Sequence, residues 1–289
     1  MNHFQAHSPN APFNMAAYQY ALHNAMSGVE LEERGQKYRT WDAAHVIFDS
    51  NQPILFNFPA RKLNAQYAIE EFLWYCRGDR MDASIMQHAT AWKKLSQPDG
   101  SFFSNYGHYI FSKMTPGGIS PFQFAAEELL RNTGSRRAAI PLLETRHCFR
   151  ENVDMVCTFA IQFFVRDNRL VMIVNMRSND AIWGLTNDAF CFSMLHRLMH
   201  VALRDGFYNP DDSGCGIAIP NLRLGEYHHI ANTLHVYERH YQMAEEIINT
   251  DLRTLNLIDV PQMTGGVAQQ LLDRTTTSLE SWTNSINSA

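Results

Sequence analysis

The sequence predicts a mixed α/β protein of the α+β kind, in which a central sheet packs on one long buried helix. Two observations carry that expectation. Residues 155–166 and 169–177 are rich in β-branched and aromatic side chains and are divided by Asp167 and Asn168, a pair suited to a tight hairpin turn. Residues 188–205 are apolar on most faces, through Phe190, Phe192, Leu195, Leu198, Met199, Val201 and Leu203, which reads as a helix covered by a sheet.

The other elements follow in chain order. Residues 12–28 have helical composition with spaced apolar positions and end at Gly28, a helix stop. Segments 44–48 and 54–58 are short and β-rich, with turn residues between them, and read as two strands. Asn64 is placed to cap a helix running through Tyr75. Residues 81–118 are less regular, with Pro98, Gly100 and Pro116 marking loops. Pro121 suits the first turn of a further helix over 122–130. Strand-like material follows in 222–236, a helix in 237–248, and a Thr-, Ser- and Gln-rich tail over 260–289 is the least defined part. With no internal repeat and no long linker, the chain reads as a single domain over 1–289.

Composition narrows the function. The 289 residues are 45% hydrophobic and 12% aromatic, ample for a buried core. A net charge of −5, from 24 Lys and Arg against 29 Asp and Glu, supplies no general field for holding DNA, so no direct nucleic-acid partner is expected. Five cysteines without regular spacing argue against a disulfide framework, and Cys/His metal spacings are absent, so no metal is expected. No apolar run approaches the roughly 20 residues that span a bilayer. The expectation is a soluble cytoplasmic protein, in the host cytoplasm if the chain is viral.

The chemistry centres on Cys157, Arg177 and Asp188. A thiol needs a nearby cation to be a useful thiolate at neutral pH, and a short polar side chain after the turn at Gly184 and Leu185 can read the edge of a bound ring. Together they predict covalent chemistry on a nucleotide. Cys148 competes for the nucleophile's role, with His147 and two arginines beside it, but the downstream spacing fits Cys157.

These residues resemble the thymidylate synthase family, in which a catalytic cysteine, a phosphate-binding arginine and a base-reading residue occur at this spacing. Further segments agree in the same order between Arg34 and His240. Residues 69–79 resemble the family's helix with a catalytic glutamate, which falls on Glu71. Arg136 and Arg137 resemble the pair that reaches a neighbouring subunit's phosphate, and His235 with Tyr237 resembles the sugar-binding His-x-Tyr. One departure changes the implied substrate: the family's base-reading asparagine becomes Asp188, as in the deoxycytidylate hydroxymethylases of bacteriophages and related cytidylate enzymes.

The resemblance implies a thymidylate synthase-like fold, a homodimer formed through one sheet face, and transfer of a one-carbon unit from 5,10-methylenetetrahydrofolate to C5 of dCMP. It implies Cys157 as nucleophile, Glu71 as proton relay and Tyr106 beside the reacting carbon. Arg177, Ser178, Gln162 and Arg34 are placed on the nucleotide, with Arg136 and Arg137 from the second subunit and His235 and Tyr237 on the sugar. Asp180 and Trp92 are placed on the folate. Water addition would give 5-hydroxymethyl-dCMP; hydride transfer would give 5-methyl-dCMP, and dUMP is the alternative substrate. Asp188 also has a plain structural reading, as the cap of the helix that follows it, in which case Asn187 would read the base.

Overall fold

Helix α1 (Phe13–Met26) stops where Gly28 must pass the backbone of Thr40, because a Cβ on Gly28 would lie 1.8 Å from the Thr40 carbonyl oxygen. The computed structural model describes residues 13–33, 35–52, 54–209, 218–258, 262–276 and 278. Strands β1 (Val29–Glu33) and β2 (Gln36–Asp49) follow, and the expected strand over 44–48 is the end of the longer β2.

The expected strand over 54–58 does not form. Ile54, Leu55, Phe56 and Phe58 are buried all the same, with Phe56 stacked on Tyr18 at 4.7 Å. A short apolar run signals burial without choosing a backbone conformation, and here it lies on the core as irregular chain.

Helix α2 (Ala65–Arg77) begins as the sequence predicts: Tyr67 N–H donates to the Asn64 side chain at 3.0 Å. It ends at Gly78, in the left-handed conformation (φ 64°). Helix α3 (Pro121–Arg131) starts with Ser120 accepting from Gln123 N–H and with Pro121 in the first turn. After β3 (Ala139–Pro141) comes a hairpin of β4 (Thr158–Arg166) and β5 (Arg169–Met176), turned by Asp167 and Asn168 at φ 50° and 56°. Two positive φ values are what a two-residue primed turn needs.

Strand β6 (Asn179–Asp180) leads into helix α4 (Gly184–Asp205), then β7 (Arg223–Tyr237), α5 (Tyr241–Ile248) and α6 (Gly265–Leu272). The sheet order is β1-β2-β7-β5-β4-β3, with β6 on β7; β5 and β6 run parallel to β7, and the remaining pairs are antiparallel. One sheet face is buried with α1 and α4 in a single hydrophobic cluster. The other carries Ile47, His228, Ile173 and Gln162 in one cross-strand row, all only partly buried, with Val171 and Phe164 paired beside them.

Helix α4 begins four residues earlier than expected. Asp180 Oδ1 accepts from the N–H groups of Ile182 and Trp183 at 2.8 and 3.1 Å, which turns the chain into the helix. Gly184 is required at the first position, because a Cβ there would meet Asn179 Oδ1 at 2.2 Å. Asp188 therefore sits inside the helix, not at its cap.

Candidate active site

The ends of β5, β6 and β7, the start of α4 and one face of α2 converge on a cleft of about 660 Å³, continuous with a second space of about 710 Å³ through Cys157, Arg177, Ser178, His235 and Tyr237. A volume of this size suits a small-molecule ligand.

Cys157 lies just before β4, on the segment that Arg177 holds in place. Arg177 donates to the carbonyls of Val156 (3.0 Å) and Met155 (2.7 Å) and to Cys157 Sγ (3.4 Å). Burial pushes the thiol pKa up; Arg177 pulls it down, while Asp188 and Asp154 push it up again. The expected depression by Arg177 is present, but desolvation outweighs it.

Behind the thiol are two carboxyls in dry surroundings. Glu71 is 6% exposed, and burial raises its pKa to about 7 against the pull of Tyr67 and Tyr75. Tyr75 donates to Glu71 Oε1 at 3.0 Å. Tyr67, Glu71 and Tyr75 are spaced by four along α2, so they share one helix face. Asp188 is held well above the carboxylate range by burial first and by Glu71 second, with a hydrogen bond from Asn179 opposing. Burial thus biases Asp188 toward its protonated, uncharged form.

Asp188 is also the inner end of a buried polar chain. Asn179 Nδ2 lies 2.9 Å from His229 Nε2, and His229 Nδ1 lies 2.7 Å from Tyr227 Oη. Burial drives the His229 pKa down to about 3, so the ring is neutral and offers one donor and one acceptor. Such a chain limits the orientations open to the Asn179 amide facing Asp188.

The remaining residues divide cleanly. Ser178, His235, Tyr237, Asp180, Trp92 and Tyr106 all line the cleft. Ser178 Oγ is 3.4 Å from His235 Nδ1; Trp92 Nε1 donates to Tyr67 Oη at 3.0 Å; Tyr106 stacks on Phe192 at 6.0 Å. Asn187 also faces the cleft, and its Oδ1 and Glu71 Oε2 are buried without a protein partner among the described residues.

Three expectations fall outside this grouping. Gln162 does not line the cleft: it sits mid-strand in β4, and its side-chain amide donates to the Arg136 carbonyl at 2.8 Å. Arg136 and Arg137 are exposed at the sheet's β3 end, away from this chain's own cleft, with Arg137 3.8 Å from Glu128. Arg34 lies outside the described residues. Cys148, the competing thiol, is exposed and lines neither space.

Sequence reasoning missed Arg61, Tyr67, Tyr75, Asn179 and Trp183. The Tyr67–Glu71–Tyr75 spacing was a readable signal for two of them. Arg61 and Trp183 are far apart in sequence, and only the fold places the guanidinium 3.9 Å from the indole ring at the cleft wall.

The sequence profile of the thymidylate synthase family matches residues 18–206. The chain is similar to the deoxycytidylate 5-hydroxymethyltransferase of Enterobacteria phage T2, at 27% identity over 218 residues, covering 73% of this chain and 81% of the relative. The same enzyme of Enterobacteria phage T4 is 26% identical over 213 residues, covering 72% and 79%. A thymidylate synthase of Fusobacterium nucleatum subsp. nucleatum is 27% identical over 210 residues, covering 73% and 66%.

Proposed function

The chain belongs to the thymidylate synthase family, whose members move a one-carbon unit onto a pyrimidine nucleotide, and from that premise we propose that it converts dCMP to 5-hydroxymethyl-dCMP. The observation that carries the choice of base is the position of Asp188: inside α4, facing the cleft, and buried so that its protonated form is favoured.

Cytosine has a basic N3 beside an N4 amino donor. A neutral Asp188 hands its proton to N3 and accepts from N4, which leaves an ion pair in a low-dielectric pocket and draws electron density toward that edge of the ring. Uracil N3 already carries a proton, so no such pair forms. Loss of a matched buried hydrogen bond costs about 1–3 kcal/mol.

Cys157 adds its sulfur to C6, which breaks the aromatic conjugation and makes C5 nucleophilic. Bound methylenetetrahydrofolate would supply the one-carbon unit that C5 takes up. Glu71, with a pKa near neutrality, then moves protons at the ring and at the exocyclic carbon through water. Once C5 has given up its proton through that relay and the transferred carbon is free of tetrahydrofolate, water adds its oxygen there and sulfur leaves C6. The cleft suits a flat heterocyclic donor: Trp92, Trp183 and Asp180 are all on its lining.

Arg177 and Ser178 hold the 5′-phosphate, and His235 and Tyr237 the sugar. One guanidinium, already committed to two carbonyls, does not satisfy a phosphate alone. Arg136 and Arg137 of a second copy complete the site in this reading. The half-exposed Ile47, Ile173, Val171 and Phe164 on the outer sheet face support such a dimer, and the single hydrophobic cluster supports one domain.

A second reading, C5 methylation of dCMP or dUMP, is favoured by the thymidylate synthase relative and by the buried Trp92. The test is to incubate the protein with methylenetetrahydrofolate and each nucleotide, then weigh the product. A gain of CH2O on dCMP supports hydroxymethylation; a gain of CH2, or reaction of dUMP alone, overturns it.

A further inference from the structure

A second cavity, also about 660 Å³, lies at the other end of the molecule. It is lined by Arg169 at the start of β5, Arg197, His200 and Arg204 on the last turns of α4, and Arg223 at the start of β7. Among the described residues that line it there is no aspartate or glutamate. Arg204 and Asp188 lie on one helix, and its rise of about 1.5 Å per residue puts them about 24 Å apart.

Part of this lining has a structural purpose. Arg197 donates to the carbonyls of Ser50 (2.7 Å) and Gln52 (3.2 Å), His200 Nε2 lies 2.9 Å from the Leu222 carbonyl, and Arg204 pairs with Asp205. Cations near a helix C-terminus are also favoured by the helix dipole.

Arg169 and Arg223 have no such purpose. They are direct register partners on neighbouring parallel strands, and Arg169 is in turn opposite Arg166 of β4. Three exposed arginines thus stand in one cross-strand row, in a chain whose net charge is −5. Like charges directly opposed across strands are destabilising. Among the described residues no carboxylate pairs with Arg169 or Arg223. A multivalent anion bridging them would relieve the repulsion and gain charge-assisted hydrogen bonds.

We propose that this cavity binds a polyphosphate chain, either free or carried by a nucleoside triphosphate. The two uncommitted guanidinium groups of Arg169 and Arg223, with Arg197 and Arg204 beside them, suit a chain of phosphates better than a single one. Among the described residues the lining holds no tryptophan, tyrosine or phenylalanine on which a base would stack, so recognition is of the phosphates and is indifferent to the base. A concave site in an acidic chain does not suit a nucleic-acid backbone, which needs an extended basic track.

The test is titration calorimetry of the full-length protein, in the presence of saturating dCMP, with tripolyphosphate, dCTP, dATP, inorganic phosphate and a short single-stranded oligonucleotide. The expected result is one site per chain, with similar affinity for the three polyphosphates and at least about tenfold weaker binding of phosphate. Loss of one charge-assisted contact costs about tenfold, so Arg169→Gln with Arg223→Gln should weaken binding by about 100-fold. The double variant should keep wild-type turnover and melt no lower than wild type. Absence of binding would overturn the proposal, as would binding unaffected by the double variant but lost on Arg177→Gln. Tighter binding of the oligonucleotide would replace it with a nucleic-acid surface, and a lower melting temperature of the variant would assign the pair a structural role.

Discussion

Arg177 grips both the nucleophile and the chain that presents it: one nitrogen, Nη2, reaches Cys157 Sγ at 3.4 Å and the Met155 carbonyl at 2.7 Å. Sulfur position and thiolate stability therefore depend on the same side chain.

The thiol pKa is raised by burial and lowered by Arg177. Alkylation of Cys157 by iodoacetamide, followed by peptide mapping, should thus accelerate as pH rises into the alkaline range. Arg177→Gln should move that profile to still higher pH. An unchanged profile would mean that the cation does not act on the sulfur. Cys157→Ala should lower turnover by at least about 10⁴-fold, as removal of a nucleophile does elsewhere.

Glu71 makes stability depend on pH. Its pKa is about 7 in the folded protein against an ordinary 4.5, so the folded state holds a proton that the unfolded chain releases in between. Its contribution is fully present below about pH 4.5 and is lost as pH rises through 7, an effect of about 3 kcal/mol. Urea denaturation at pH 5 and pH 8 should show a smaller difference for Glu71→Gln than for wild type. The same variant should lose about 10²- to 10⁴-fold in kcat, the usual cost of removing a general acid or base.

Asp188→Asn removes the proton that N3 of cytosine would receive. Selectivity, measured as the ratio of kcat/KM for dCMP and dUMP, should shift toward dUMP by about 10- to 100-fold, the equivalent of 1–3 kcal/mol. An unchanged ratio would assign base reading to another residue, with Asn187 next in position.

Much of this was legible in the sequence because it is local. Asn64, Pro121 and the Asp167–Asn168 turn act within a few residues of themselves, and each stands where its chemistry predicts. Cys157, Arg177 and Asp188 are legible as a group because they sit at fixed points beside one hairpin and on one helix, whereas the other expected cleft residues rest on the family resemblance. What failed was less local. The 54–58 run is buried without strand pairing, which depends on how β2 and α1 leave space for it. The early start of α4 depends on Asp180 and on the approach of Asn179 to Gly184. Gln162 has a polar side chain on a strand near the right motif, but strand alternation sends it to the outer face with Ile173. The chain from Asp188 through Asn179 and His229 to Tyr227 joins three elements, and no single stretch of sequence announces it.

The central claim is a bond between Cys157 and C6 of a cytosine nucleotide. It is tested most directly by incubating the protein with methylenetetrahydrofolate and 5-fluoro-dCMP, whose fluorine cannot leave as a proton does, and mapping the stalled adduct by mass spectrometry. A nucleotide and its one-carbon donor should be found attached to the peptide containing Cys157. An adduct on Cys148, or one formed by 5-fluoro-dUMP and not by 5-fluoro-dCMP, would contradict it.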